Sequence, residues 1–356
     1  MTTASFPISI EKTQHSRLAT LDFDNIPFGK IFSDHMLVAS YEDGEWQSVK
    51  ILPYGSLEMA PSISAIHYGQ AIFEGMKAYK SPTGTPLLFR PDANYKRLNQ
   101  SAERLCMPQV PEEIFINGLK ELIRLDADWI PENNDSVLYI RPVYFATDES
   151  IGLKPSSSYK FVIITCPVGS YYSEPVRLMV TKQYVRACEG GTGAAKVAGN
   201  YAASLLADKE AKSKGYDNVI WLDAIHHQYI EECGTMNLAF VIDDRVVTPQ
   251  LTGTILPGIT RDSVLQLFRS QGITVEERLI NIDEIAEAYH QGRLKEAFGM
   301  GTAATIAQIS TINYQGEEMI LPPISERRYS NTVYQQLKAI KTAQSDDPQG
   351  WVVHLK

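Results

Sequence analysis

The chain has no uninterrupted apolar run of about 18 residues, which excludes reading any segment as a membrane-spanning helix. Its opening stretch, Met1 to Ile10, carries neither the apolar core of a secretory signal nor the arginine-rich pattern of a transit peptide, so the expected location is the cytoplasm. Cysteine is scarce. The four, Cys106, Cys166, Cys188 and Cys233, are scattered without a CxxC spacing. That scatter gives no zinc ligand set, and disulfides are not expected in a chain large enough to bury its own core. There is no basic excess either: 33 Lys and Arg stand against 42 Asp and Glu, a formal net charge of −9. A nonspecific nucleic-acid role is not expected from that balance, although a local basic pocket for a phosphate remains compatible with it. Internal repeats and low-complexity segments are absent as well.

What is present is a chain of 356 residues, 44% hydrophobic and 21% charged, the composition of a globular protein with room for two domains. His35 to Ser40 and Trp46 to Ile51 alternate as strands, with Glu42-Asp43-Gly44 as the turn between them. Tyr68 to Lys80 reads as a turn, a helix and then a strand; Asn94 to Leu105 and Pro111 to Trp129 read as helices. Strands are expected at Ser136 to Tyr144, Lys160 to Pro167, Asn218 to Leu222 and Leu238 to Ile242, and Arg177 to Gln183 starts a second set of elements. Further helices are expected at Asn200 to Lys214, Arg261 to Ser270, Ile282 to Gln291 and Glu326 to Ala343. Mixed elements in both halves imply an α/β or α+β fold in two domains. The expected boundaries are 1–168 for a small N-terminal domain, 169–177 for an interdomain loop, and 178–356 for a larger C-terminal domain.

One lysine stands out. Lys196 follows the small residues Gly190-Gly-Thr-Gly-Ala-Ala195 and precedes Val-Ala-Gly-Asn200-Tyr201. Backbone without bulky side chains admits a ligand closely. A lysine that loses solvent there drops its pKa and can form a Schiff base with an aldehyde such as pyridoxal phosphate. A plain surface lysine after a glycine turn is the alternative.

Five more features fit such a cofactor, each with a bland counterpart. Glu232 could stabilise a protonated pyridine nitrogen, or belong to a solvated acidic pair with Glu231. Leu256-Pro-Gly-Ile259-Thr260-Arg could offer helix N-terminal N–H groups to a phosphate, or merely start a helix. Gly299-Met-Gly301-Thr302-Ala303-Ala304 could bind phosphate and carboxylate, or be only a tight turn. Arg97 could hold a phosphate dianion, or make a surface salt bridge. Tyr139 and Arg141 share one face of a strand and suit a carboxylate substrate; a structural ion pair would look the same.

Taken together, the motifs Phe73-Glu-Gly-Met-Lys-Ala78, Tyr139-Ile-Arg141-Pro, Lys196-Val-Ala-Gly-Asn-Tyr201, Glu232-Cys-Gly-Thr-Met-Asn237, Leu256-Pro-Gly-Ile-Thr260-Arg and Gly301-Thr302-Ala resemble, in order and spacing, the branched-chain amino acid aminotransferases of the fold-type IV pyridoxal 5'-phosphate enzymes. The resemblance runs from about Phe28 to the C-terminal helix. It implies a cofactor at the domain interface, with Lys196 as its covalent anchor and proton shuttle, Glu232 at the pyridine nitrogen and Tyr201 at the phenolic oxygen. Arg97, Ile259, Thr260 and Thr302 would form the phosphate cup. Tyr68, Thr235, Ala303 and Ala304 would lie near the substrate α-carboxylate, and Phe28, Phe73, Tyr139, Tyr171 and Met236 around its side chain. Arg141 would receive the distal carboxylate of glutamate, and Leu153 would reach into the neighbouring subunit of a homodimer. The substrates implied are branched-chain L-amino acids, 2-oxo acids and glutamate. Nucleic acid, a membrane and a metal are not implied.

Two departures are visible. The mammalian enzymes carry a redox CxxC just after the Gly-Thr turn; here Ala304 and Ala307 stand there, so that thiol switch is not expected. Ala239 occupies a place where the wider class usually has an aromatic residue. A D-amino acid aminotransferase and an aminodeoxychorismate lyase would share Lys196 and Glu232, and a non-catalytic pyridoxal phosphate carrier is a third alternative.

Overall fold

The structure is a computed structural model that describes residues 6–23, 26–132, 136–169, 172 and 174–356. The chain divides into two compact units, one made of Met1–Tyr171, Lys196–Ala198 and Ala339–Lys356, the other of Tyr172–Ala195 and Gly199–Lys338.

The first unit is built on a nine-stranded sheet. Strands His35–Glu42 and Glu45–Pro53 pair antiparallel. The two residues between them, Asp43 and Gly44, have φ of 53° and 82°, the twist that a tight hairpin between right-twisted strands requires. Strands Val137–Ala146 and Tyr159–Val168 form the longest ladder, in register from Val137↔Val168 to Ala146↔Tyr159. Helix Pro91–Arg104 starts with proline at its first turn, where no N–H is needed. Its buried face carries Asn94, Arg97, Leu98, Ser101 and Ala102 at helical spacing. Three of those five side chains are polar, so the fold must supply each with a partner.

The second unit has its own nine-stranded sheet. Strand Asn237–Ile242 is buried at every position between Arg245–Pro249 and Leu294–Gly301. Helix Ile282–His290 covers one face, where Ile285 and Ala288 pack with Leu238, Phe240 and Ile309. Helix Ile259–Ser270 begins at Gly258, and helix Tyr329–Lys341 begins on the Glu296 carboxylate. That carboxylate accepts from the N–H groups of Tyr329 and Ser330, each at 2.8 Å, and from the Ser330 hydroxyl at 2.5 Å.

Several expectations are corrected. Between Tyr68 and Lys80 there is no helix: a short one, Ser64–Tyr68, ends at Gly69 with φ 67°, and strands Ala71–Phe73 and Met76–Lys80 follow. Pairing with Val137–Ala146 prevails over the local pattern. The single helix over 111–129 is instead a π-turn Glu113–Asn117, an α-helix Gly118–Leu125 and a 3-10 turn Ala127–Trp129. The α-helix stops at Asp126, whose carboxylate takes the His35 N–H at 3.0 Å and contacts His35 Nδ1 at 2.6 Å. The helix over 200–214 is broken into Ala198–Ala202 and Leu205–Ser213. Ser204 Oγ bonds back to the Tyr201 carbonyl at 2.8 Å, a competitor to the helical ladder. Residues 339–356, assigned from sequence to the C-terminal domain, belong to the first unit, where Val352–His354 pairs with Pro86–Phe89.

Glu296 is 2% exposed, so water cannot replace it at the helix start. Glu296→Ala should cost about 2 kcal/mol, the scale of a lost charged cap. The urea midpoint measures this; an unshifted midpoint would show that the cap contributes nothing.

Candidate active site

In the first unit the chemistry gathers around the turn Phe73-Glu74-Gly75. The lysine segment is stitched to it by backbone bonds: Phe73 N–H donates to the Lys196 carbonyl at 3.1 Å, and Val197 bridges Ile72. The Lys196 N–H in turn donates to Ser101 Oγ at 2.9 Å, which gives one of the polar helix positions its partner. The ammonium lies 4.8 Å from the centre of the Phe73 ring. Burial, and then the neighbouring Arg97 cation, push the Lys196 amine down to about 8; the Glu74 charge pulls the other way.

Glu74 and Arg97 form a buried ion pair. Arg97 Nε and Nη2 donate to the two Glu74 oxygens at 2.8 and 2.7 Å, and Asn94 Nδ2 adds a third bond at 2.7 Å. Glu74 is 0% exposed and Arg97 6%. Burial alone would raise the Glu74 carboxyl, yet the Arg97 charge and hydrogen bonds hold it below the usual carboxylate range. Arg97 is thus not a surface ion pair.

Arg141 stacks between two rings, its guanidinium 4.7 Å from the centre of Phe73 and 5.3 Å from that of Tyr139. Its Nη2 donates to the Tyr139 hydroxyl at 3.0 Å, while its buried Nε has no partner. Phe28 meets Tyr139 edge-on at 5.8 Å. Tyr68 and Leu153 are not drawn into this cluster: Leu153 is 84% exposed, and the exposed Tyr68 donates its hydroxyl to the Ile151 carbonyl. Tyr171 lies outside the described residues.

In the second unit Glu232 is buried, not part of a solvated pair. Its Oε1 accepts the Leu256 N–H at 2.7 Å and lies 3.2 Å from Arg186 Nη2. Arg186 also donates to the carbonyls of Gly193 (3.0 Å) and Thr254. Glu231 faces the other side of the strand. One of its oxygens takes the Thr254 hydroxyl at 2.5 Å, the other has no partner, and burial raises its carboxyl. Helix Ile259–Ser270 has no side-chain cap from its N-cap residue Gly258, and its first turn carries the N–H groups of Ile259 and Thr260. Asn237 Nδ2 fixes the approach to that helix through the Leu256 carbonyl at 2.9 Å. Thr302, Ala303 and Ala304 are half-buried in the turn that follows strand Leu294–Gly301. Met236 is buried, Thr235 exposed, and Tyr201 half-buried on Ala198–Ala202.

The run before Lys196 owes its glycines to different causes. Gly190 has φ 71°. A side chain at Gly193 would collide with the Thr254 carbonyl and the Ala187 methyl.

In the first unit an amine of lowered proton affinity and a buried arginine suit an aldehyde and a phosphate; in the second, taken by itself, a helix start without a side-chain cap suits a phosphate and a buried carboxylate suits a cationic ring nitrogen. Glu74, Arg186 and Ser101 were not singled out in the sequence. Glu74 stands inside the motif Phe73-Glu-Gly-Met-Lys-Ala78, but nothing in its spacing links it to Arg97. No group of three or more potential ligand side chains for a metal occurs among the described residues, and the four cysteines are unpaired.

The chain matches the family model Amino-transferase class IV over residues 71–312, more than half its length, and belongs to that family. Among its relatives it is similar to the branched-chain-amino-acid transaminase 1 of Bacillus subtilis, 46% identical over 339 residues that cover 94% of this chain and 95% of that protein. The branched-chain amino acid aminotransferase of Escherichia coli superposes with a TM-score of 0.74 at 28% identity, covering 91% of this chain and 99% of that one. The branched-chain aminotransferase of the thermophilic archaeon Thermoproteus uzoniensis, solved with norvaline, superposes at 0.75 with 26% identity over 90% of this chain and 100% of that one.

In the cofactor-free protein the Lys196 amine should titrate near pH 8. The pH profile of its acylation, read by peptide mass spectrometry, gives the midpoint. Arg97→Met removes a cation that disfavours the charged amine and leaves Glu74 to favour it, so the midpoint should rise. A midpoint near the ordinary 10.5 in the unaltered protein would overturn the burial argument.

Proposed function

We propose that this chain is a pyridoxal 5'-phosphate-dependent transaminase that moves the amino group between L-leucine, L-isoleucine or L-valine and 2-oxoglutarate. The observation that carries the reading is a lysine amine against the Phe73 ring, its proton affinity lowered by burial and by the neighbouring Arg97, in a chain of the class IV aminotransferase family. The names of the relatives supply the branched-chain substrates.

When bound, the coenzyme draws electron density from the substrate α-carbon and weakens its C–H bond. Lys196 Nζ would hold the coenzyme and, once exchanged for a substrate amino group, would take the α-proton as a base and return it as an acid. An amine with its pKa near 8 can do both at neutral pH. Glu232 would offer a carboxylate to the pyridine nitrogen. Its Oε1 is already held by the Leu256 N–H and faces Arg186, which fixes the side chain in place. Tyr201 would bond the phenolic oxygen. Arg97, the Ile259 N–H, Thr260 and Thr302 would hold the phosphate.

One pocket must take an aliphatic and an anionic side chain in turn. Phe28, Phe73, Tyr139, Tyr171 and Met236 would bury the aliphatic group, which is worth roughly 1.5–3 kcal/mol for a leucine-sized side chain. Arg141, with an unpartnered Nε between two rings, would pair the distal carboxylate of glutamate. Tyr68, Thr235, Ala303 and Ala304 would meet the α-carboxylate. The reading includes a homodimer in the cytoplasm, with Leu153 reaching the partner's site. The exposure of Leu153 (84%) and Ile151 (74%) is in keeping with such a contact.

The absorption spectrum tests the reading. A bound chromophore that L-leucine converts to the pyridoxamine form, and 2-oxoglutarate restores, is the expected result. Conversion by D-amino acids instead, or by neither enantiomer, would move the chain to the D-amino acid aminotransferase or the aminodeoxychorismate lyase branch. Lys196→Ala should abolish turnover and the covalent link; retained activity would reject the mechanism. Arg141→Ala should lower kcat/KM for glutamate about tenfold more than for leucine, the scale of one charged hydrogen bond. Equal losses would remove Arg141 from that role.

A further inference from the structure

The residue between Phe73 and Gly75 does more than fill the core. Four groups of the cluster converge on this tripeptide. The Phe73 ring faces the Lys196 and Arg141 cations, Glu74 grips Arg97, and Gly75 lies against the Tyr139 hydroxyl, where any side chain would collide. The backbone is held from both sides, with Phe73 N–H on the Lys196 carbonyl and Glu74 N–H on the Pro142 carbonyl at 2.8 Å. Glu74 therefore cannot shift without moving the strand that carries Arg141 or the segment that carries Lys196.

We propose that Glu74 is a positioning residue of this site: its two-point grip fixes the plane of the Arg97 guanidinium for an incoming phosphate, and its charge balances the cations around Lys196. The proposal rests on the function proposed above. A guanidinium presents its N–H donors in a rigid fork, so fixing the Nε and Nη2 edge also fixes the direction of the Nη1 edge. A lone arginine on a helix keeps several rotamers, whereas one clamped to a buried carboxylate keeps one. Asn94 Nδ2 locks the carboxylate in turn. The electrostatic consequence has a definite sign. Glu74 raises the Lys196 pKa while burial and Arg97 lower it, so losing the Glu74 charge must lower it further.

The test compares pyridoxal phosphate with pyridoxal, which lacks the phosphate, as ligands of the cofactor-free full chain. Glu74→Gln should weaken pyridoxal phosphate binding about tenfold or more and leave pyridoxal within about twofold, because only the first uses Arg97. The acylation midpoint of Lys196 should move below about 8 in the same variant. A merely structural role would weaken both ligands together, and that result, or an unchanged preference, overturns the inference. Should Glu74→Gln not fold, Asn94→Ala loosens the same carboxylate by one hydrogen bond; it should show a smaller loss, again confined to pyridoxal phosphate. Equal effects on both ligands in that variant overturn the inference too. An unaltered protein that binds neither ligand would instead overturn the proposed function, and the inference with it.

Discussion

A guanidinium on the buried face of a helix has to be met by a carboxylate, and much of the first unit follows from that demand. Helix Pro91–Arg104 turns Asn94, Arg97 and Ser101 inward, where an aliphatic stripe would be the ordinary choice. Each finds a partner on the facing segments: Glu74 for the first two, the Lys196 backbone for the third. Removing one member of a buried ion pair typically costs about 3–5 kcal/mol, because the other is left charged and dry. The same desolvation that makes the pair costly to break lowers the proton affinity of the lysine beside it. Stability and reactivity here share one cause, the exclusion of water around a small group of charges.

The second unit solves a related problem with strand geometry. Glu231 and Glu232 are consecutive, so they point to opposite faces of strand Ile230–Cys233. Glu232 meets a backbone N–H and Arg186, while Glu231 meets a hydroxyl and keeps one oxygen unpartnered. Two neighbouring carboxyls thus acquire different characters without any difference in residue type. Thr254 links them, because its hydroxyl serves Glu231 and its carbonyl accepts from Arg186.

Much of this was legible in the residues alone. The hairpin at Asp43-Gly44, the long strand pair after residue 136 and the helix start at Gly258 each rest on local chemistry, and local chemistry is what a sequence displays. Lys196, Glu232 and Arg141 stood out for the same reason. The Glu74–Arg97 and Arg186–Glu232 pairs did not, since their partners lie 23 and 46 positions apart and only the fold brings them together. The helix expected after Tyr68 failed because ladder pairing outweighs propensity. The return of residues 339–356 to the first sheet was equally hidden, since strand Val352–His354 is too short to announce its partner.

The glycines ahead of Lys196 have an evolutionary consequence. Gly190 is constrained by its own dihedral and Gly193 by the atoms pressed against it, so substitution at one cannot be compensated by a change at the other. Ala194 is exposed between two buried neighbours. Divergence in this segment should therefore concentrate at that single position, and homologous chains should keep the backbone path while varying the one side chain that faces solvent.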